Sequence, residues 1–191
     1  MDRRAFILRS SSTLAAVSTT ALTPLTASAV INTGSSSLQA KDGLEGFSDK
    51  DWSTIASVQN HLFPSEQEAP GAVEINALSY LHDFLSNPAT DSSEVEFILS
   101  GVLLLQRHLS QTYSQQMNFA DLSIEQREIL LREFEKQADG RRWLVNILNY
   151  ILEALLTDPV YGGNPDGIGW KWLEYRAGEP RPPADKRYWL L

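Results

Sequence analysis

The sequence predicts an all-α protein: a single bundle of about five main helices, followed by an irregular, aromatic-rich C-terminal tail. Three observations lead there. Apolar residues recur at spacings of three and four in run after run, no segment sustains the period-two alternation of a half-buried strand, and caps or Pro/Gly breakers punctuate the runs.

Ser48 heads the first helix, which carries Trp52, Ile55, Val58 and Leu62 on one face and ends at Phe63 ahead of Pro64. Pro64 and Pro70 mark the segment up to Gly71 as a loop. Ile75, Leu78, Leu81, His82 and Leu85 place a second helix that stops near Asn87 and Pro88. Asp91 to Ser93 offers the next cap, and Ser93 with Glu96 reads as a capping box. The third helix aligns Val95, Ile98, Leu99, Val102, Leu105 and Leu109, while Phe97, Gly101 and Leu104 make its opposite face apolar. A helix apolar on both sides is expected at the centre of the bundle. Ser123 and Gln126 open a charged fourth helix running through Ile129, Leu130, Phe134 and Ala138 to Gly140. A fifth, from near Arg141, aligns Leu144, Ile147, Leu148, Ile151, Leu152 and Leu155 and ends at Asp158 and Pro159.

The N-terminus is of another kind. Arg3 and Arg4, followed by Phe6 and Ile7, resemble a twin-arginine export signal. An uncharged stretch rich in Ala, Leu, Ser and Thr follows, too short and weakly apolar to span a bilayer. Ala27 and Ala29 supply the small residues that a signal peptidase reads. The predicted organisation is therefore a signal over residues 1–29, a flexible Ser/Gly-rich linker over 30–47, and a helical domain over 48–191 whose loop and tail begin at about 158. An exported chain of this kind is expected in the periplasm.

Without the signal the chain has 13 basic and 23 acidic residues, a net charge of −10. With no Lys/Arg cluster, nucleic acid and a polybasic membrane anchor are both disfavoured as partners. There is no cysteine. That excludes disulfides, covalently attached c-type haem, thiolate metal sites and cysteine nucleophiles in this chain.

The remaining candidates for chemistry are sparse. His61, His82 and His108 lie on separate helices without metal-ligand spacing, and neither HExxH nor GxSxG occurs. The glycine-rich stretch from Tyr161 to Gly169 lacks the Lys-Ser/Thr of a phosphate loop and the third glycine of a dinucleotide fingerprint. Its glycines and Asn164 and Asp166 read as turn formers. Calcium ligation by Asp158, Asn164 and Asp166 has no matching loop spacing. No catalytic, cofactor or metal residue is assigned. Trp170, Trp172, Tyr175 and Trp189 have two open readings: they fold back over the core, or they anchor a partner surface.

The arginine signal, Leu62-Phe63-Pro64 followed by Pro70-Gly71-Ala72, and the block from Asp158 through Tyr161, Gly162, Gly163 and Asn164 to Gly169 and Trp170 together resemble the gluconate 2-dehydrogenase subunit 3 family. The resemblance implies a non-catalytic gamma subunit of a membrane-associated dehydrogenase for sugars, sugar acids or polyols. It implies that FAD resides in a large flavoprotein partner and haem c in a multihaem cytochrome c partner, with no cofactor in this chain. It further implies that the small subunit supports assembly and escorts the flavoprotein through the twin-arginine translocase. Tyr161, Gly162, Gly163, Asn164, Trp170, Trp172 and Tyr175 are the candidate partner interface. The alternatives are a standalone periplasmic chaperone and a ligand-binding domain using the YGGNPDG loop.

Overall fold

The computed structural model describes residues 44, 46–113, 117–183 and 185. Arg3, Arg4, Phe6, Ile7, Ala27, Ala29, most of the 30–47 segment and residues 186–191, with Trp189, lie outside the described residues. Six helices follow in order: α1 (Asp49–Leu62), α2 (Ala77–Leu85), α3 (Ser92–Thr112), α4 (Ile124–Glu135), α5 (Ala138–Leu156) and α6 (Ile168–Leu173). Among the described residues there is no strand, and the all-α class holds. The sixth helix is a short one inside the terminal block, where the sequence suggested only loop.

Local chemistry sets the boundaries. Ser48 and Asp51 form a reciprocal capping box at α1, and Ser123 and Gln126 form another at α4, so two donors that each helix would leave unpaired are satisfied. At α3 the expected Ser93–Glu96 box is not formed. Asp91 is the cap instead, its carboxylate accepting from the Ser93 N–H at 2.8 Å, because Ser92 and Ser93 already lie in the helix. Phe47, assigned to the linker, stacks on Trp52 with ring centroids 4.8 Å apart. Ile75 precedes α2 rather than lying in it, yet is fully buried.

The break between α4 and α5 falls earlier than expected. Gln137 is extended (φ −81°, ψ 135°), so α4 stops at Glu135 and Gly140 lies within the first turn of α5. Phe134 is buried, whereas Ala138, expected to continue the same helix, starts α5 as an exposed residue. Gly140 is there for closeness: a Cβ would run into the Phe134 carbonyl.

The central helix is α5, not α3. α5 packs against all five other helices and buries Trp143, Ile147, Ile151, Ala154 and Leu155. α3 packs chiefly against α1, α4 and α5 and leaves Leu103 exposed to solvent on its outer side. α3 and α5 meet where the indole of Trp143 lies against Gly101, with its N–H donating to the Ile98 carbonyl at 3.1 Å and Phe134 meeting it edge-on at 6.1 Å. A Cβ at Gly101 would overlap the indole ring. Alanine normally favours a helix over glycine by about 1 kcal/mol. Gly101→Ala should reverse that sign and destabilise the domain by about 1–3 kcal/mol in chemical denaturation, whereas a neutral or stabilising result would contradict the packing described.

Candidate docking surface

A helix that ends inside a fold leaves carbonyls without intrahelical partners. The C-terminus of α5 is completed by the glycine-rich block that follows it. The Asn164 side-chain amide donates to the Thr157 carbonyl at 2.9 Å, and the Trp170 indole N–H donates to the Leu156 carbonyl at 2.8 Å. Asn164 is fully buried with its remaining groups engaged. Its Oδ1 accepts from the Gly169 N–H at 2.7 Å, its backbone N–H donates to the Ile75 carbonyl at 3.0 Å, and its carbonyl accepts from Gly167 at 2.9 Å.

The glycines divide into two kinds. Gly162 (φ 94°) and Gly167 (φ 67°) take left-handed backbone, which also recurs at Asn164 and Asp166. Gly163 and Gly169 are required for approach, since a Cβ on either would press against the backbone of α5 at Ala154 or Leu155. This block also packs on the other motif of the sequence: Trp172 meets Phe63 edge-on at 6.2 Å, and Ala72 donates to the Phe63 carbonyl at 2.7 Å.

Of the seven residues proposed as a partner interface, Gly163 and Asn164 are buried and their polar groups serve the fold. Gly162 lies beside Asp83 and makes the turn. Tyr161, Trp170 and Trp172 are half-buried, each with part of its surface in solvent, and Tyr175 is 56% exposed with its ring 6.3 Å from that of Trp170. Each of these aromatics thus packs partly on the fold and keeps part of its surface open to solvent.

The structure adds a surface that periodicity had placed in the core. Val145, Leu148, Leu152 and Leu156 recur at three and four residues and share one face of α5. Val145, Leu148 and Leu156 are 53%, 37% and 48% exposed, and Leu152 is half-buried. Leu148 and Leu152 were expected to be core because α5 is apolar around most of its circumference, so its buried stripe and its exposed stripe merge in the sequence. The exposed stripe ends at Leu156, whose carbonyl holds Trp170, and aromatic surface continues from there to Tyr175. Isolated exposed apolar residues are ordinary; a row of four leading into aromatics is a candidate docking surface.

Arg181 ties the tail to this end of the bundle. Its guanidinium makes a two-pronged contact with Asp158 (2.8 and 3.1 Å) and lies over the Trp170 ring at 5.2 Å. Asp158 also caps the turn at Pro159–Tyr161 by accepting from the Val160 N–H.

The histidines do not converge. His61 contacts Glu128 at 2.8 Å, His82 lies beside Trp52 and Asp83, and His108 lies against Phe134. Among the described residues no group of three His, Asp or Glu side chains is arranged to hold a metal ion. Among them, too, no helix is long and apolar enough to cross a membrane.

Two outcomes follow from the terminal block. Asn164→Ala removes two buried side-chain bonds, leaves the Thr157 carbonyl and the Gly169 N–H unpaired, and should lower stability by about 2–4 kcal/mol in urea denaturation; a change within experimental error would contradict the capping role. The Arg181 guanidinium holds the Asp158 carboxyl below its ordinary range. A carboxyl more acidic in the folded state contributes stability above its unfolded pKa of about 4, and that contribution declines as pH falls through the folded value. Arg181→Ala should therefore speed proteolytic cleavage between residues 174 and 183 at neutral pH, and wild type should approach the variant only in acid below that range. Equal cleavage rates at neutral pH would sink the tie.

No curated protein and no solved structure matches the chain at a significant level. The family described as gluconate 2-dehydrogenase subunit 3 matches residues 49–178, which takes in α1 to α6, the Phe63 loop and the whole capping block. The chain belongs to the gluconate 2-dehydrogenase subunit 3 family.

Proposed function

We propose that this chain is the non-catalytic small subunit of a periplasmic FAD-dependent dehydrogenase complex acting on a sugar, sugar acid or polyol. In this reading it grips the folded flavoprotein large subunit, lends it the twin-arginine signal at Arg3 and Arg4, and sits with a multihaem cytochrome c that passes electrons onward. Family membership supports a subunit role in a dehydrogenase complex. The observation that carries the docking role is the apolar row on α5, which leaves the most central helix of the fold partly uncovered.

The physics of such an interface favours this surface. Large apolar and aromatic side chains dominate binding free energy when water is excluded from them, and here they are held on a rigid helix and its capped end. Little ordering of the small subunit is then needed on association. Because the signal and the docking domain lie on one chain, a cargo bound before export would travel with the signal. FAD and haem would be brought by the partner chains, consistent with the lack of cysteine in this one.

Co-expression with a flavoprotein large subunit of such a dehydrogenase tests the reading. A stable complex is expected, and Leu148→Glu combined with Leu156→Glu should weaken it by about tenfold or more while leaving helical content intact, since both side chains are exposed. Arg3→Lys with Arg4→Lys should retain the flavoprotein in the cytoplasm. A monomeric subunit with no flavoprotein bound would overturn the proposal, and a flavoprotein still exported by the double-lysine variant would overturn the escort role.

A further inference from the structure

Beside the apolar row of α5, a cleft of about 420 Å³ opens between α2, α3 and α5. One wall is aromatic: the Phe84 and Tyr150 rings stand 5.1 Å apart. The polar lining includes Glu94, Glu153 and the amides of Asn146 and Asn149. Asn149 and Glu153 lie on the row of α5 adjacent to Val145, Leu152 and Leu156, so cleft and stripe form one continuous surface.

The charge in the cleft is unbalanced. Glu94 is half-buried, accepts from the Tyr150 hydroxyl at 2.7 Å and from the Asn146 amide at 3.3 Å, and among the described residues pairs with no Lys, Arg or His. Glu153 accepts from the Tyr80 hydroxyl at 3.1 Å and likewise has no cationic partner among them. The side-chain amide oxygen of Asn146, Oδ1, is buried without a hydrogen-bond partner. A carboxylate drawn partly out of water is costly without a counter-charge, and a buried acceptor without a donor is costly as well.

We infer that this cleft is the socket for an arginine side chain of the catalytic partner chain, which rests on the reading of this protein as a docking subunit. A guanidinium is planar, stacks on aromatic rings and carries five N–H donors. Those properties answer the Phe84–Tyr150 wall, the two carboxylates and the unpaired amide oxygen together. An ammonium group would meet the charge but not the planar wall. The continuity with the apolar row favours a side chain delivered by the same partner that covers that row.

The test uses the full chain in complex with its flavoprotein, measuring dissociation constants across a range of sodium chloride. Glu94→Gln should raise the dissociation constant by about tenfold and flatten its salt dependence. Asn149→Arg, at an exposed position, places a guanidinium at the mouth of the cleft and should have the same effect with thermal stability retained. Arginine amide should compete with the wild-type complex, and citrulline amide should not. If both variants bind with unchanged affinity and salt dependence, the socket is overturned while the docking-subunit reading stands. If arginine amide binds saturably and the variants leave the complex unaffected, the occupant is a free guanidine and the assignment to a partner is overturned. Should wild type form no complex at all, the underlying reading fails, and the cleft is judged alone: saturable binding of arginine amide that Glu94→Gln abolishes upholds a guanidinium site, and no binding overturns it.

Discussion

The carbonyls at the C-terminus of α5 are the constraint on which the rest of the molecule turns. α5 is the helix that every other helix touches, and it ends inside the structure at Leu156. Asn164 and Trp170 supply the missing donors. To reach them the chain must reverse within a few residues, which is why left-handed backbone recurs at Gly162, Asn164, Asp166 and Gly167 and why Gly163 and Gly169 carry no side chain. The block that looks most like a ligand-binding loop is a helix cap. Its consequence is placement: Trp170, Trp172 and Tyr175 are fixed around the end of the hub helix instead of trailing from it.

Much of this was legible in the residues. The caps at Ser48 and Ser123, the stops before Pro64 and Pro159 and the spacing within α1, α3 and α5 all follow from local preferences that the fold does not override. The errors arise where tertiary geometry decides. Asp91 rather than Ser93 caps α3, Gly140 serves a close crossing rather than a stop, and α5 displaces α3 from the centre because Gly101 yields room to Trp143. Periodicity also cannot divide an apolar circumference between neighbours and solvent, so Leu148 and Leu152 read as core. In the candidate interface, residue types alone did not separate the side chain that builds the loop, Asn164, from the aromatics the loop presents.

A tightly hydrogen-bonded cap around Asn164, set beside an exposed apolar row on α5, is the arrangement expected of a docking module. In the proposed interface the cap would hold the surface rigid, the row would supply area, and the acidic cleft next to the row would supply selectivity through charge. In the proposed reading, the signal at Arg3 and Arg4 would then carry whatever that surface holds. Family membership and the physical reading converge on an accessory subunit without either needing a reactive group in this chain.

Hydrogen exchange of the full chain, alone and bound to the flavoprotein, tests the docking surface most directly. Backbone amides in the second half of α5 and through residues 168–175 should gain protection in the complex, while the outer face of α3 around Leu103 and the α4 face bearing Ile124 and Ile129 should exchange as before. Protection confined to α3 and α4, with α5 and the capping block unchanged, would contradict the account.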